Sequence, residues 1–287
     1  MEKINIGVIG GSGLYQMEGL EEIEKRQVST PFGLPSDDIV IGSLGGKKVA
    51  FLPRHKRGHC LMPAEVNSRA NIYALKSLGV ERIIGVSAVG SLKEEIKPLD
   101  IVIPDQLFDR TKSTRQHTFL GEGIVGHISF ADPYCPQLSK LFFDVGKASG
   151  YSIHQRGTYI CIEGPQFSTR AESNIYRQWG CDIIGMTNLP EAKLAREAEI
   201  CYATLALVTD YDVWHVAEED VTIEMVINNL MKNVEYAKNI IKGVLSQISD
   251  TRQCSCASAL KDSIITKPEL IPQNTKEKLK LLIGEYL

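Results

Sequence analysis

Short apolar runs alternate with longer mixed stretches along the chain. Ile4 to Ile9 is a continuous apolar run of strand length, and Lys47 to Leu52 is another, ending at Pro53-Arg54-His55. The pattern repeats at Arg82 to Val86, Ile101 to Ile103, Gly157 to Ile162, Asp182 to Met186 and Tyr202 to Val208. Helices are expected between them. Pro63 suits the first turn of one running through Ala64 to Leu78 and stopping at Gly79, and Pro190 to Glu199 has helical composition. From about Val221, the residues Ile223, Val226, Ile227, Leu230, Val234, Ala237, Ile241, Val244 and Ile248 recur at spacings of three and four. They draw one apolar stripe along an amphipathic helix, most of it core packing. Beyond Ser249 the chain is polar through Gln253 and irregular to Asn274, with a last helix expected from Thr275 to Tyr286. No repeat and no long linker interrupts the series. The pattern predicts one α/β domain, residues 1–248, with 249–287 as a C-terminal extension packed on it.

The 287 residues suffice for a large core, and 43% hydrophobic with 23% charged content is that of an ordinary globular chain. A net charge of −3 gives no general attraction for polyanions, so nucleic acid is not an expected partner. The start, Met1 to Gly10, reads as a buried strand and not a signal peptide. No window approaches the ~20 apolar residues of a membrane span, and a cytoplasmic location is expected.

Among seven cysteines, Cys60, Cys135, Cys161, Cys181 and Cys201 stand far apart in mixed apolar surroundings and read as small buried hydrophobes with free thiols. Cys254-Ser-Cys256 differs, with two thiols one residue apart in a polar segment. A metal site would want further ligands nearby, and none follows in the sequence. A disulfide, to each other or to a neighbouring segment, is the sharper alternative to free thiols.

Three segments concentrate chemistry: Glu163-Gly-Pro-Gln-Phe-Ser-Thr-Arg-Ala-Glu-Ser173, Gly185-Met-Thr-Asn-Leu-Pro-Glu191 and Thr209-Asp-Tyr-Asp-Val-Trp214. Each follows a strand-like run. Together they offer an aromatic ring, hydroxyls, a methionine and two carboxylates, the groups that hold a purine nucleoside and protonate its base. Ser12, Arg54-His55, Ser87-Ala88, Met186-Thr187 and Asp210 also fall at expected strand ends, where ligands bind in open α/β sheets. A dinucleotide-binding reading of Gly7 to Gly13 fails, because Gln16 stands where the third glycine belongs. The turn can still present N–H groups and the Ser12 hydroxyl to a phosphate. Arg54 adds a fixed cationic fork and His55 another donor; with Ser87 and Thr187 they make an inorganic phosphate site a reasonable expectation. Asp210 and Asp212 read either as a polar turn or as acid groups. Tyr211 and Trp214 beside them would desolvate a carboxyl and raise its pKa toward use as a proton donor.

On these residues the chain resembles the 5′-methylthioadenosine phosphorylases, of the trimeric purine nucleoside phosphorylase superfamily, over roughly residues 4–248. The resemblance rests on Ile9-Gly-Gly-Ser-Gly-Leu14, Thr30-Pro-Phe-Gly33, Pro53-Arg-His55, Arg69-Ala-Asn-Ile72, Ala88-Val-Gly-Ser-Leu92, Asp109-Arg-Thr111 and the three segments above, in one order. It implies a central mixed β-sheet flanked by helices. Ser12, Arg54, His55, Ser87, Ala88 and Thr187 would bind phosphate. Phe167 would stack on the purine, Met186 would lie against the ribose, and Asp210 and Asp212 would face the base edge. His127, supplied by a neighbouring subunit, would surround the methylthio group with Ile223, Val226 and Ile227. A homotrimer or a dimer of trimers is implied.

The implied reaction is reversible phosphorolysis of the N-glycosidic bond, with Asp210 as the acid at N7, phosphate as co-substrate and no organic cofactor or metal. The alternatives are a phosphorylase for 6-oxopurine nucleosides, and a nucleotide-binding sensor without catalysis. A carboxylate facing a 6-oxo group would be mismatched by roughly 1–3 kcal/mol, and Ser168 with Ile223 also argues for the methylthioadenosine branch. Ser12 and Ser87 stand where threonine is frequent, which keeps the hydroxyl. Cys254-Ser-Cys256 is similar to a pattern in heat-stable members.

Overall fold

Consecutive residues of β1 (Ile6–Gly10) take opposite sides of a sheet: Val8 packs with one hydrophobic cluster and Ile9 with another. That is the period of two acting on a strand buried on both faces. The computed structural model describes residues 4–15, 18–112, 115–215 and 223–287. The side chains of Ser12, Ile223 and Val226, and the expected helix start at Val221, lie outside that description.

Eleven strands of the described residues form one mixed sheet, with β2 (Glu21–Arg26), β3 (Ile39–Leu44), β4 (Lys47–Pro53), β1 and β5 (Arg82–Ser91) in that order from one edge. After β5 the order continues through β10 (Ile183–Gly185), β9 (Thr158–Ile162) and β7 (Gln106–Arg110). A branch leaves β5 through β11 (Cys201–Asp210) to β6 (Ile101–Val102) and β8 (Ile153–His154). Helices α1 (Ser68–Ser77), α4 (Asn188–Glu197) and α6 (Gln273–Ile283) supply Ile72, Leu75, Leu194, Leu279 and Leu282 to the cluster on one face. Helices α2 (Pro136–Ala148) and α5 (Ile223–Gln247) supply Phe142, Ile241 and Val244 to the other. Helix α3 (Arg170–Gln178) covers a smaller cluster of Leu92, Ile160, Tyr176 and Ile184. The apolar stripe on α5 is buried at Ala237, Ile241 and Val244 and continues to buried Ile248 just beyond the helix, whereas Ile227 is exposed.

The expected Ala64–Leu78 helix is instead broken. Pro63–Glu65 is a single 3₁₀ turn, Val66 is extended, and α1 begins only at Ser68, where Asn67 Oδ1 accepts the Ala70 N–H at 3.2 Å. The local capping bond outweighs the helical composition of the segment. Strand β5 is also longer than expected. It does not stop at Val86 but continues to Ser91, because β11 pairs with it in parallel from Cys201↔Arg82 to Asp210↔Gly90. Ser87 and Ala88 therefore lie inside a central strand, and Asp210 ends β11 instead of following it.

The other edge of β5 changes neighbour part-way. Strand β1 pairs with Arg82 to Gly85, and β10 pairs antiparallel with Gly90 and Ser91. Between these two ladders Ala88 is exposed, although every other residue of β5 is buried. The sheet opens there, at a topological switch point.

In the C-terminal extension, Ile264 bridges Gly126, and Thr275 Oγ1 donates to Glu122 O at 2.7 Å. Cys135, Cys161, Cys181 and Cys201 are buried as expected, but Cys60 is exposed; all seven cysteines are free. Among the described residues no helix is long and apolar enough to cross a membrane.

Candidate active site

Arg54 leaves the end of β4 and turns into the opening beside β5. Its Nη1 donates to Val86 O at 2.7 Å and its Nη2 to Ile9 O at 3.3 Å, so it takes up carbonyls where β1 and β5 part. The remaining face of the fork meets Glu191 of α4, Nε to Oε1 at 2.5 Å and Nη2 to Oε2 at 3.0 Å. Burial opposes the charge on Arg54, but the Glu191 carboxylate outweighs it and holds the guanidinium pKa above its ordinary value. The network continues inward. Tyr202 Oη donates to Glu191 Oε2 at 2.9 Å, and Asn188 joins Tyr202, Thr204 and Tyr134. A buried charge pair is tolerated only when its remaining valences are met, and here they are.

Ser87 and Thr187 meet on the rim of the same opening. Their hydroxyl oxygens are 2.6 Å apart, and Tyr159 Oη lies 3.1 Å from Ser87 Oγ. Thr187 is the N-cap residue of α4, yet its side chain makes no capping bond, so that hydroxyl is directed elsewhere. His55 is turned by a contact of its Nδ1 with Leu61 O at 2.9 Å, and its ring stacks on His59. Burial, then the Arg54 charge, lowers its pKa to about 4, so the ring is neutral at pH 7. With Nδ1–H donated to Leu61, Nε2 is left as an acceptor.

The second group of residues sits at the far end of the opening. Asp210 is buried; its Oδ2 accepts the Thr209 hydroxyl at 2.6 Å and its Oδ1 the Asp212 N–H at 2.8 Å. Gly90 makes room for it, since a Cβ there would lie 2.8 Å from Asp210 Oδ1 and 3.4 Å from the Asp212 Cβ. Asp212 adopts a left-handed backbone, φ 51°, and is itself buried. Burial pushes its carboxyl up to about 6, the Ser173 hydroxyl opposing the rise and the Asp210 charge adding to it. Asp212 Oδ2 and Ser168 Oγ are buried oxygens with no hydrogen-bond partner among the described residues. Such atoms are expensive to leave unpaired.

Phe167 is 52% exposed on the loop before α3, available as a stacking face. Met186 packs tightly beneath the same loop: a Cβ on Gly164, at φ +68°, would lie 2.4 Å from its Sδ. Of the other expected residues, Ala88 lies at the opening itself, Ile227 is half-exposed on α5, and His127 is on an exposed segment that bonds to Ser263 through its backbone.

Several residues that shape the site carried no functional reading from the sequence. Glu191 ends the segment Gly185 to Glu191, and nothing in that segment marks it as the partner of Arg54. Arg115, buried, pairs with Glu163 at 2.8 Å and donates to Met186 O and Leu189 O at 2.8 Å each, clamping the loop that bears Phe167 to the strand end that bears Met186. Asn229 and Asn233 of α5 donate to Thr209 O and Val208 O at 2.6 and 2.8 Å, fixing the end of β11 beneath Asp210. Two asparagines one helical turn apart beside an apolar stripe were the available signal for the last pair.

A family model described as the phosphorylase superfamily matches residues 5–246. The S-methyl-5′-thioadenosine phosphorylase of Geobacter sulfurreducens is 58% identical over 287 residues, with 100% of both chains covered. That of Koribacter versatilis is 56% identical over 98% of this chain and 96% of its own. A methylthioadenosine phosphorylase from an antarctic soil metagenomic library has a crystal structure that superposes with a TM-score of 0.93 at 52% identity, covering 98% of this chain and 99% of its own. The methylthioadenosine phosphorylase of Schistosoma mansoni, solved in complex with adenine, gives a TM-score of 0.86 at 36% identity, over 93% of this chain and 100% of its own. With a mixed sheet opened at a switch point, charged and hydroxyl groups at one end of it and buried carboxylates at the other, the chain belongs to the phosphorylase superfamily.

Proposed function

We infer that the chain is a pentosyltransferase that cleaves S-methyl-5′-thioadenosine with inorganic phosphate, giving adenine and 5-methylthioribose 1-phosphate. One observation supports this most directly. Ser87, on the phosphate-type rim, and Gly90, packed against Asp210, belong to the same strand, three residues or about 10 Å apart. That span suits a ribose with phosphate at one face of C1′ and a purine on the other.

In this reading Ser87, Thr187, Arg54, Ser12, His55 and the backbone at Ala88 align the phosphate for attack on C1′ as the glycosidic bond lengthens, largely a positioning effect. The Arg54 fork is already oriented by Glu191, so little rearrangement is needed. The neutral His55 ring accepts through Nε2, which matches a phosphate oxygen that carries a proton. At the other end Phe167 stacks on the purine. Asp210, after taking a proton from solvent, delivers it to N7, so adenine leaves neutral and the carboxylate is regenerated. Asp212, with its raised pKa and open Oδ2, meets the 6-amino side of the base. Met186 lies against the ribose, and Ser168 with Ile223, Val226 and Ile227 sets specificity.

The reading extends to a cytoplasmic homotrimer, alone or paired into a hexamer. The exposed Phe108 and Trp179 rings, 5.3 Å apart, with Ile175 beside Trp179 on α3, supply apolar surface for subunit contact. His127 would act in the site of a neighbour. Adenine release from methylthioadenosine, measured with and without phosphate and beside inosine, tests the function. Release only with phosphate and poor use of inosine is expected. Equal release without phosphate, or faster cleavage of inosine, overturns the reading.

A further inference from the structure

Four thiols meet at the opposite end of β11 from the catalytic carboxylate. Cys201 opens that strand and Asp210 closes it, which separates the two by about 30 Å. Around Cys201 gather Cys135, the N-cap residue of α2, and Cys254 and Cys256 from the C-terminal extension. All four sulfur atoms lie within 4.8 Å of one another, and Cys201 Sγ is 3.3 Å from Cys254 Sγ. Cys135, Cys201 and Cys256 are buried, and Cys254 is half-buried.

We propose that Cys135, Cys201, Cys254 and Cys256 form a structural zinc site that fastens the C-terminal extension to the sheet. Sulfurs about 2.3 Å from a central ion stand about 3.8 Å apart in a tetrahedron; the four here lie within 4.8 Å of one another, close enough for one ion to gather them. Zinc suits an all-sulfur, four-coordinate set with no vacant position, and such a set is structural, not catalytic. The N-terminus of α2 favours negative charge at Cys135. Cys256 also lines a cleft of 670 Å³ that Asp105, Asp132, Lys140, Arg156 and Lys261 share. Binding forms four Zn–S bonds and releases the thiol protons to solvent, with no change of oxidation state. The effect is to tie the start of α2, the start of β11 and the extension at one point. None of the four cysteines touches the proposed substrate site, so chemistry and stapling are separable.

The full-length protein, purified under reducing conditions, stripped with a chelator and titrated with Zn²⁺, should bind about one ion per chain. Co²⁺ in its place should give the intense visible bands and thiolate-to-metal charge transfer of a tetrahedral tetrathiolate. Cys254→Ser/Cys256→Ser should lose both signals and unfold at a lower temperature, with kcat for phosphorolysis unchanged in the folded fraction. Weak adventitious binding only, a cobalt spectrum without tetrahedral thiolate bands, or alkylation and mass spectrometry of the air-purified protein showing the four cysteines paired as disulfides would each overturn the proposal. The cobalt spectrum of the unmodified chain decides the matter even if the double variant does not fold.

Discussion

At one end of the opening in the sheet Arg54 is buried with Glu191 and two backbone carbonyls around it; at the other Asp212 is buried with an oxygen that nothing described meets. The first end is wired before any ligand arrives. Its charges are mutually satisfied, and what it offers an anion is a fixed frame of hydroxyls around an oriented cation. The second end is incomplete, and its carboxyl holds a proton more tightly than an exposed one. The difference divides the labour. An anion available in several forms is best met by a rigid frame, whereas a base that must take up a proton on leaving is best met by groups whose protonation is still adjustable.

The largest effect should come from breaking the wired end. Glu191→Gln removes the carboxylate from a buried pair, and loss of about 3–5 kcal/mol in urea unfolding is expected, with a raised phosphate KM. A loss under about 1 kcal/mol would show that Arg54 does not depend on its partner. At the other end, Asp210→Asn should lower kcat by about 100-fold, or about 2.7 kcal/mol, in steady-state assays, with the phosphate KM little changed. If the phosphate KM rose by the same factor, the two ends would not be separate.

Asp212→Asn sharpens the contrast by moving stability in the opposite direction. The folded pKa of Asp212, about 6, is above the ordinary 3.8, so the native state holds the proton more tightly than the unfolded state. Stability contributed by this group therefore falls as pH rises through that window, and the loss is complete above it. The variant should be more stable than the parent by about 1–3 kcal/mol at pH 8, with the gap closing toward pH 4, while adenine-nucleoside binding weakens. Asparagine tolerates the left-handed backbone at this position. A gap independent of pH would remove titration from the explanation. The smallest effect is expected at Ser87→Ala, a 5- to 10-fold higher phosphate KM from loss of about 1 kcal/mol of hydrogen bonding, read from initial rates over a phosphate series.

Most strands and the long helix were legible because their signals are local. The α5 stripe is periodic over about seven turns, and β1 is a run of apolar residues before a glycine turn. The break at Asn67 is a local capping effect, whereas the misplaced end of β5 has a distant cause. Strand β5 extends past Val86 because its partner lies more than a hundred residues away in β11, and no local pattern announces that ladder. The same holds for the site. Arg54 was legible as a cation at a strand end, but Glu191, 137 residues on, was not legible as its orienting partner. Arg115 is isolated in a polar stretch, and only the fold brings Glu163 and the Met186 carbonyl to it. No cysteine or histidine follows Cys254-Ser-Cys256 closely in the sequence, whereas Cys201, 53 residues upstream, and Cys135 are delivered by a strand start and a helix start. Local chemistry is written in the sequence; the pairing of that chemistry is written in the topology.

The exposure of Ala88 in the middle of a buried strand has a wider bearing. A gap made by an exchange of strand partners belongs to the backbone, and no side-chain replacement can close it without redrawing the sheet. Residues around its border can then be exchanged to suit another base or another 5′ substituent while the location of bond cleavage stays put. Under the proposed function, retailoring selectivity is therefore a task for residues such as Ser168 and Asp212, and the sheet can be left alone.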